Sequence, residues 1–500
     1  MRRTSIGLVA GLAGRIRNGC VALCSDGETL GVCEQERITR VRAAGFNPGG
    51  LPDEALNELL RQSGRYREDV TAFATAEAMP VASADRMTVL DRARTLACSA
   101  FLPSPFESAI IFVCDNNEPE ISVWHGNGTV VDRADWPWTG PGLAEIYAQC
   151  AAAAGFVGAG AEQRFEAFAR LDPNQCDERV ERLFSVEGEH LRFAPNWLER
   201  ARDLMHESDS ERMRIAAALQ SRLGDLLIEL LADVFRANRE RRLCLSGSLF
   251  SNSYFNSRVK QATVFESVFI PVNPGDAGLA LGAAMELSGP LRTPVTPFLG
   301  PSYPSDEIKA TLDNCKLNYQ WVSESDSIEM AVGDLMKGRL VAWFEGRMEW
   351  GPRALGGRSI LANPFSEYVL DNLNHFLKKR ERWRGYALSG LPQAVVRHFS
   401  GPATAPFMEC DYVPHDRALF RHILPLPSAA VRVQTVESSA PRRFTKLLSA
   451  FGERAGLPFL VNTSFNGFQE PIVCNPRDAV RVFFGTGVDT LVLDQFVIRK

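Results

Sequence analysis

Histidine is the scarcest chemistry-bearing residue in this 500-residue sequence: there are seven, the first at His125, so the opening 124 residues hold no imidazole. On its own this excludes little, because aspartate and cysteine also bind metals. The eleven cysteines stand singly from Cys20 to Cys474 with no C-x-x-C pair. That excludes a zinc ribbon or a disulfide framework read from spacing, and fits reduced thiols in a cytoplasm. There is no G-x-x-x-x-G-K-[ST] loop and no G-x-S-x-G elbow, so covalent catalysis is not indicated. With 55 basic and 60 acidic residues, a net charge of −5 recruits no nucleic acid. No apolar run approaches the roughly 18 residues of a membrane span. The opening MRRTSIGLVAGLAGRIRNG imitates a signal peptide, but its glycines, with Arg15 and Arg17, favour a buried strand ending in a glycine-rich turn.

The composition, 45% hydrophobic and 23% charged, is that of an ordinary globular protein, and the length predicts two domains. Strands are expected at Ser5–Ala10, Cys20–Cys24 and Thr29–Glu34, with residues 25–28 as a hairpin turn. The pattern recurs at Ser108–Cys114, Ile121–Trp124 and Thr129–Val131. Two meanders opening two half-domains suggest the duplicated α/β plan of actin, sugar kinases and Hsp70 ATPases. A capping box at Ser208–Glu211 opens a long helix whose leucines, from Leu219 to Leu231, form one stripe. Residues 289–304 carry five prolines and read as a linker, which puts the domain boundary near residue 297. Beyond it, strands at 338–344, 458–461 and 490–498, with helices at 442–450 and 476–484, predict a second α/β domain.

Three clusters carry chemical potential. Residues 346–359 hold Arg347, Arg353 and Arg358 on glycine-rich backbone, which suits bidentate recognition of phosphate or carboxylate, or else an interdomain salt-bridge hinge. Residues 378–384, Lys-Lys-Arg-Glu-Arg-Trp-Arg, include Lys378 and Arg384 and read equally as a solvated basic helix face. Asn462-Thr-Ser464-Phe-Asn466 follows an apolar strand, where polar side chains commonly enter a crevice. Arg432 adds a further cation. In the first half, the turns at Gly247-Ser248, leading to Asn252, and at Gly275-Asp276 are candidate walls of a nucleotide cleft, because a strand-to-helix turn can offer N–H groups to phosphate; a tight structural turn is the alternative. Several arginines, a lysine and glycine turns together suit phosphoryl or acyl-phosphate chemistry driven by positioning and charge.

GRMEWGPRALGGRSILANPF at 346–365, KKRERWRGYA at 378–387 and LPFLVNTSFNGFQEPIVCNPRDAV at 457–480, with the Cys244–Asn256 and Pro274–Met285 segments, resemble the NodU/CmcH-type O-carbamoyltransferases over nearly the whole chain. The resemblance implies a duplicated actin-like (ASKHA) domain over 1–296 and a YrdC-like α/β domain over 297–500. It further implies that ATP, carried with Mg, and carbamoyl phosphate give a carbamoyl adenylate in the second domain, and that the first domain passes the carbamoyl group to an acceptor hydroxyl. By motif match, Lys378, Arg384, Arg432 and Ser464 would cradle the carbamoyl phosphate or its product, with Arg347, Arg353 and Asn466 beside them. Gly247, Ser248, Asn252, Gly275 and Asp276 would serve the nucleotide.

The sequence departs from that family in the first half. Arg92 and Leu96 stand where the metal-binding H-x-x-x-H histidines would be, and Ala277 replaces the second acid of the family's G-D-D-G turn. Arg17-Asn18 replaces an early His-Asp pair, residues 162–168 replace E-G-K-x-M-G-L, and residues 426–429 replace H-V-D-G. The expectation is an enzyme of natural-product biosynthesis, including antibiotic biosynthesis, that works without the family's metal, with Arg92, Arg94 and Arg17 supplying fixed positive charge instead. The alternatives are an ATP-dependent ligase or cyclase that activates a substrate carboxylate, and a non-catalytic partner of an active relative. The donor would be carbamoyl phosphate or another acyl donor, the acceptor a small hydroxyl or amine bound in residues 130–205, and the assembly a homodimer in the cytoplasm.

Overall fold

The computed structural model describes every residue except 1–6, 26–27, 79–85, 119, 139, 173–175, 188–189, 263–264, 290–295, 425–427 and 429. The centre of the expected 25–28 turn and the core of the proline-rich linker lie outside the described residues.

Strand β1 (Leu8–Ala13), buried along its whole length, pairs antiparallel with β2 (Cys20–Ser25), which pairs antiparallel with β3 (Glu28–Glu34). β4 (Val70–Thr75) and β5 (Met87–Val89) continue parallel to β1, giving the order β3-β2-β1-β4-β5. The first strand ends three residues later than its sequence suggests, because pairing of Ala13 with Cys20 carries it through the glycines. A second sheet repeats the plan. β6 (Ser108–Val113), β7 (Ser122–Asn127) and β8 (Val130–Arg133) form the meander. A small hairpin of β9 (Phe184–Glu187) and β10 (His190–Phe193) intervenes. β11 (Arg242–Ser246) and β12 (Ser267–Phe269) then lie parallel to β6, in the order β8-β7-β6-β11-β12. One topology used twice is the actin-like plan.

Helix Asp276–Ser288 packs on β1 and β2. Gly11 makes this possible, since a Cβ there would stand 2.0 Å from the Ala280 carbonyl oxygen. Helix Asp209–Asn238 starts where its capping box predicts: Ser208 Oγ accepts the Glu211 N–H at 3.1 Å, and Leu219, Leu223, Leu226, Leu227, Leu230 and Leu231 are all buried.

The second half is built on one ten-stranded mixed sheet. Its strands are β13 (Gln320–Trp321), β14 (Val341–Phe344), β15 (Arg358–Ala362), β16 (Ala387–Gly390), β17 (Phe399–Ser400), β18 (Asp411–Pro414), β19 (Val431–Thr435), β20 (Phe459–Ser464), β21 (Thr490–Leu493) and β22 (Phe496–Arg499). They run in the order β13-β22-β21-β14-β15-β20-β16-β19-β18-β17. It is a further α/β unit. The expected strand over 490–498 is two strands, because Asp494 turns the chain at φ 52° between apolar runs that hide the reversal. The Asn-Thr-Ser run lies inside β20 rather than after it.

Main-chain contacts fasten the halves together. Glu34 accepts the Gly351 N–H at 2.6 Å, Arg37 donates to the Gly351 carbonyl at 2.9 Å, and Arg40 donates to the Pro471 and Ile472 carbonyls. Among the described residues no helix is long and apolar enough to cross a membrane.

Candidate active site

A cavity of about 370 Å³ opens at the junction of the halves, lined by six arginines: Arg42 and Arg170 from the first, and Arg353, Arg380, Arg384 and Arg432 from the second. Two buried carboxylates lie behind them. Glu166, at the core-facing side of helix Ala161–Ala169, accepts from Arg170, from Arg432 at 3.2 Å, and from the Ser253 N–H and Oγ at 2.8 and 2.7 Å. Asp411 takes Arg170 in a bidentate pair at 2.8 and 3.0 Å. Burial alone would raise the Glu166 pKa; Arg170, Arg432 and Arg353 outweigh it and hold it down to about 2. Among the described residues, no carboxylate forms an ion pair with Arg42, Arg353 or Arg380, and Arg384 has only Glu381, at 3.9 Å. Burial, with Arg432 next to it, lowers the Arg353 pKa, and burial with Arg380 lowers that of Arg384. The cavity therefore holds more cationic charge than the chain itself neutralises, which is the demand of an anion site.

The three second-half clusters divide between lining and support. In residues 346–359, Arg353 lines the cavity on the turn that Glu34 and Arg37 fasten. Arg347 does not reach it: its guanidinium donates to the Leu30, Leu299 and Gly300 carbonyls and clamps the junction, which is the hinge alternative with carbonyls in place of carboxylates. Arg358 is wholly buried, donating to the Glu345, Gly346, Gly357 and Cys474 carbonyls, 3.5 Å over the Phe344 ring. Glu349 accepts the Leu355, Gly357 and Arg358 N–H groups and shapes the intervening turn.

The 378–384 cluster is not a solvated helix face. The helical segment ends at Lys378, and Lys379 turns at φ 45°. Lys378 lies behind the cavity wall, donating to the Ser464 carbonyl at 2.6 Å, the Asn466 carbonyl at 3.2 Å and Asn466 Oδ1 at 2.5 Å. Burial, helped by Arg380, lowers its pKa strongly. Arg380 lies over the Tyr386 ring at 4.0 Å, and Trp383 packs edge-on against Phe156 and Phe168 of the first half. Ser464 lines the cavity and donates to Asn466 Oδ1 at 2.7 Å, while Asn466 braces this turn through the Glu470 carbonyl. Asn462, Ser389 and Gln434 make a bonded polar floor. Of the replaced 426–429 segment, only Ser428 is described, and it lines the cavity.

The first-half turns lie elsewhere, and their N–H groups are taken. Gly247 donates to the Pro274 carbonyl, Ser248 to Asp115 Oδ1, Leu249 to the Cys114 carbonyl, and Gly275 to Asn273 Oδ1. Asn252 receives the Tyr254 N–H at the start of helix Ser253–Ala262. These N–H groups are not free for phosphate as the sequence suggests, because neighbouring loops satisfy them. Asp276 accepts from Asn18 at 3.2 Å and faces Arg92 at 3.5 Å.

At the expected metal position, Leu96 and Ala277 are buried in a hydrophobic cluster and the third place is a guanidinium. Hydrocarbon and a protonated arginine offer no lone pair, so this donor set does not fit a metal ion. Arg94 turns away to Glu286 at 2.8 Å and adds no charge to that cleft, and Arg17 is exposed.

Glu166, Arg170, Ser253, Asp411 and Arg42 carry the site beyond the residues that sequence singled out. The one sequence signal for Glu166 and Arg170 is their i, i+4 spacing, which on any exposed helix reads as a surface pair.

The fold and cleft define a two-part α/β protein with an anion site at its junction. The carbamoyltransferase N-terminus family profile matches residues 53–285 and the carbamoyltransferase C-terminus profile matches 332–500. The nodulation protein NolO of Bradyrhizobium diazoefficiens is 30% identical over 431 residues, 81% of this chain and 78% of that one. The 3'-hydroxymethylcephem-O-carbamoyltransferase of Amycolatopsis lactamdurans is 32% identical over 291 residues, 57% of this chain and 54% of that one. The chain belongs to the carbamoyltransferase family, of the NodU/CmcH type. Among solved structures, full-length HypF in its phosphate- and nucleotide-bound form aligns with a TM-score of 0.42 at 11% identity, over 58% of this chain and 47% of that one.

Proposed function

We propose that the chain carbamoylates a small-molecule hydroxyl or amine: in the arginine cavity water cleaves carbamoyl phosphate to carbamate and phosphate, carbamate attacks the α-phosphorus of ATP to give a carbamoyl adenylate and pyrophosphate, and the acceptor takes the carbamoyl group as AMP leaves. The first unit, over 1–296, and the second, over 297–500, would each supply part of that cavity. The observation that carries this is the charge balance: six arginines line one cavity, and its two buried carboxylates, Glu166 and Asp411, are already engaged by Arg170 and Arg432. A polyanionic donor supplies what is missing. Arg353 and Arg384 are placed to take phosphoryl oxygens, where fixed guanidiniums stabilise developing charge without reorganising. Ser464 and Asn462 line the same volume and, with their own donor hydrogens spent on Asn466, Ser389 and Gln434, offer acceptor oxygens suited to a carbamoyl NH2 group. Lys378 and Asn466 orient Ser464 from behind and do not touch ligand. The turns at Gly247, Ser248, Asn252, Gly275 and Asp276 would serve the nucleotide part of the adenylate through their folded loops, since the N–H groups of Gly247, Ser248 and Gly275 are bonded within the protein. The chemistry is assigned to the cavity's own residues, without the family's metal.

The test is pyrophosphate release. Purified protein given ATP, magnesium and carbamoyl phosphate should release pyrophosphate dependent on both substrates. Release without carbamoyl phosphate, on adding a carboxylate substrate, would identify a ligase or cyclase. Failure both to release pyrophosphate and to bind nucleotide by calorimetry would leave a non-catalytic partner.

A further inference from the structure

Arg92 opens helix Arg92–Phe101 and points into a group of four carboxylates. Its guanidinium donates to Asp115 Oδ2 at 3.0 Å and lies 3.5 Å from Asp276, 3.9 Å from Glu77 and 3.9 Å from Glu118. Asp115 is almost fully buried, and the arginine largely so. Burial alone would lower the Arg92 pKa; the carboxylates, Asp115 foremost, turn that into a rise, so the cation stays charged. The carboxylates come from three pieces of chain, around Glu77, in the 115–118 loop and at Asp276, and each holds a second partner or an exposed edge. Asp115 also accepts the Ser248 and Asn117 N–H groups. Asp276 accepts from Asn18, and Glu77 accepts the Arg15 N–H at 2.7 Å. One cation thus ties the loops around residues 15–18, 77, 115–118, 248 and 276 to the start of one helix. A divalent ion performs this service where acidic loops converge, by neutralising carboxylates that repel one another. Here Leu96 and Ala277 have closed the adjoining positions with hydrocarbon.

We propose that the Arg92 guanidinium is the resident cation of this first-half cleft, a covalently tethered replacement for a metal ion, and that it holds the Gly247-Ser248 and Gly275-Asp276 turns in place. This rests on the metal-free part of the function proposed above, and it is tested without reference to carbamoyl transfer. Its reach is architectural: Arg92 positions the cleft and touches no reacting atom.

The experiment compares the full-length protein with Arg92→Gln and Arg92→Lys, reading thermal midpoints with EDTA and with Mn2+, and metal content after desalting. Wild type should show one midpoint whether Mn2+ or EDTA is present, and should retain no stoichiometric metal. Arg92→Gln should lose about 4–10 °C, and Mn2+ should restore part of the loss, because divalent charge again offsets the mutual repulsion of Asp115, Asp276, Glu77 and Glu118. Arg92→Lys, keeping the charge, should lie between the two and ignore Mn2+. The proposal is overturned if wild type holds stoichiometric metal and falls with EDTA. It is equally overturned if Arg92→Gln keeps the wild-type midpoint, or if Lys and Gln are equally damaging and both unresponsive to Mn2+, which would make the site one of packing. Absence of pyrophosphate release would defeat the catalytic reading and leave these outcomes unaffected.

Discussion

Glu166 Oε2 lies 3.2 Å from the Arg432 guanidinium, so a carboxylate from the first half closes on a cation from the second inside the protein. The same carboxylate holds Arg170, which also donates to Asp411 on β18 and to Ser253 Oγ. The cavity wall is therefore shared: neither half alone places Arg170 and Arg432 at their present separation. Sharing also explains why a highly cationic cavity stays assembled, because Glu166 and Asp411 together neutralise Arg170 and Arg432 and leave Arg353, Arg380, Arg384 and Arg42 for a ligand.

Replacing Glu166 by Gln should cost about 3–5 kcal/mol, the usual penalty for leaving buried cations without their partner. Glutamine can still accept from Ser253, so packing survives while the charge is lost. Urea unfolding would give the difference, and phosphate titration of the folded fraction should show altered affinity as Arg432 is released. A variant as stable as wild type would mean that the pair contributes nothing to holding the halves.

The same carboxylate predicts an acid limit. Its folded pKa, about 2, lies below an unfolded value of roughly 4.3. A depressed acid stabilises the fold fully above the unfolded value and loses that contribution as pH falls towards the folded one. The stability gap between wild type and Glu166→Gln should be constant at neutral pH and shrink between about pH 4.5 and 2. A gap unchanged over that interval would place the effect elsewhere.

Which of these residues sequence could reveal follows from how local their role is. Arg353 and Ser464 stand in dense, unusual runs of arginine, glycine and small polar groups, and both line the cavity. Arg347 stands in such a run too, yet serves carbonyls of the junction, because composition marks a turn and cannot say which way a guanidinium points. Glu166 and Arg170 lie in an ordinary amphipathic helix, and their task exists only once β18 and β19 arrive from more than 200 residues away. The duplicated meander was legible because alternating apolar segments and turn residues are local. The β21–β22 reversal was not, since Asp494 interrupts two apolar runs with a single positive φ.

Lys378 offers a test of support from behind the wall. Lys378→Met keeps much of the side-chain volume but takes one donor from each of three acceptors: Asn466 Oδ1 keeps Ser464 Oγ and the Ser464 carbonyl keeps the Asn466 N–H, while the Asn466 carbonyl is left unpaired among the described residues. A buried acceptor left unpaired costs about 1–3 kcal/mol. Amide exchange at residues 463–467 should accelerate, with the rest of the sheet little changed. Unaltered protection there would show that the turn holds itself.

Gly247 carries a backbone requirement. Its φ of 102° and ψ of 164° lie where side chains are rarely tolerated, and a Cβ would come 2.2 Å from the Cys114 carbonyl oxygen. Gly247→Ala should destabilise by more than about 3 kcal/mol, the sum of backbone strain and a main-chain collision. Gly456→Ala, at a positive φ but with open space around it, should cost only about 1–2 kcal/mol. Equal losses in the two variants would remove the collision from the account.

Arg384 separates binding from stability. It lines the cavity, is about a quarter exposed, and its one ion pair with Glu381 is long, at 3.9 Å. Arg384→Ala should therefore leave the unfolding free energy within about 0.5 kcal/mol of wild type. If Arg384 holds a phosphoryl group, the variant should bind carbamoyl phosphate or inorganic phosphate about 10–100-fold more weakly, the worth of one charge-assisted bond. Arg384→Lys should recover little of this, because an ammonium cannot reproduce the two-pronged contact. Calorimetric titration of the three proteins decides it. Unchanged phosphate affinity in Arg384→Ala would move the anion to Arg353 and Arg432, deeper in the same cavity, and reduce Arg384 to a residue at its mouth.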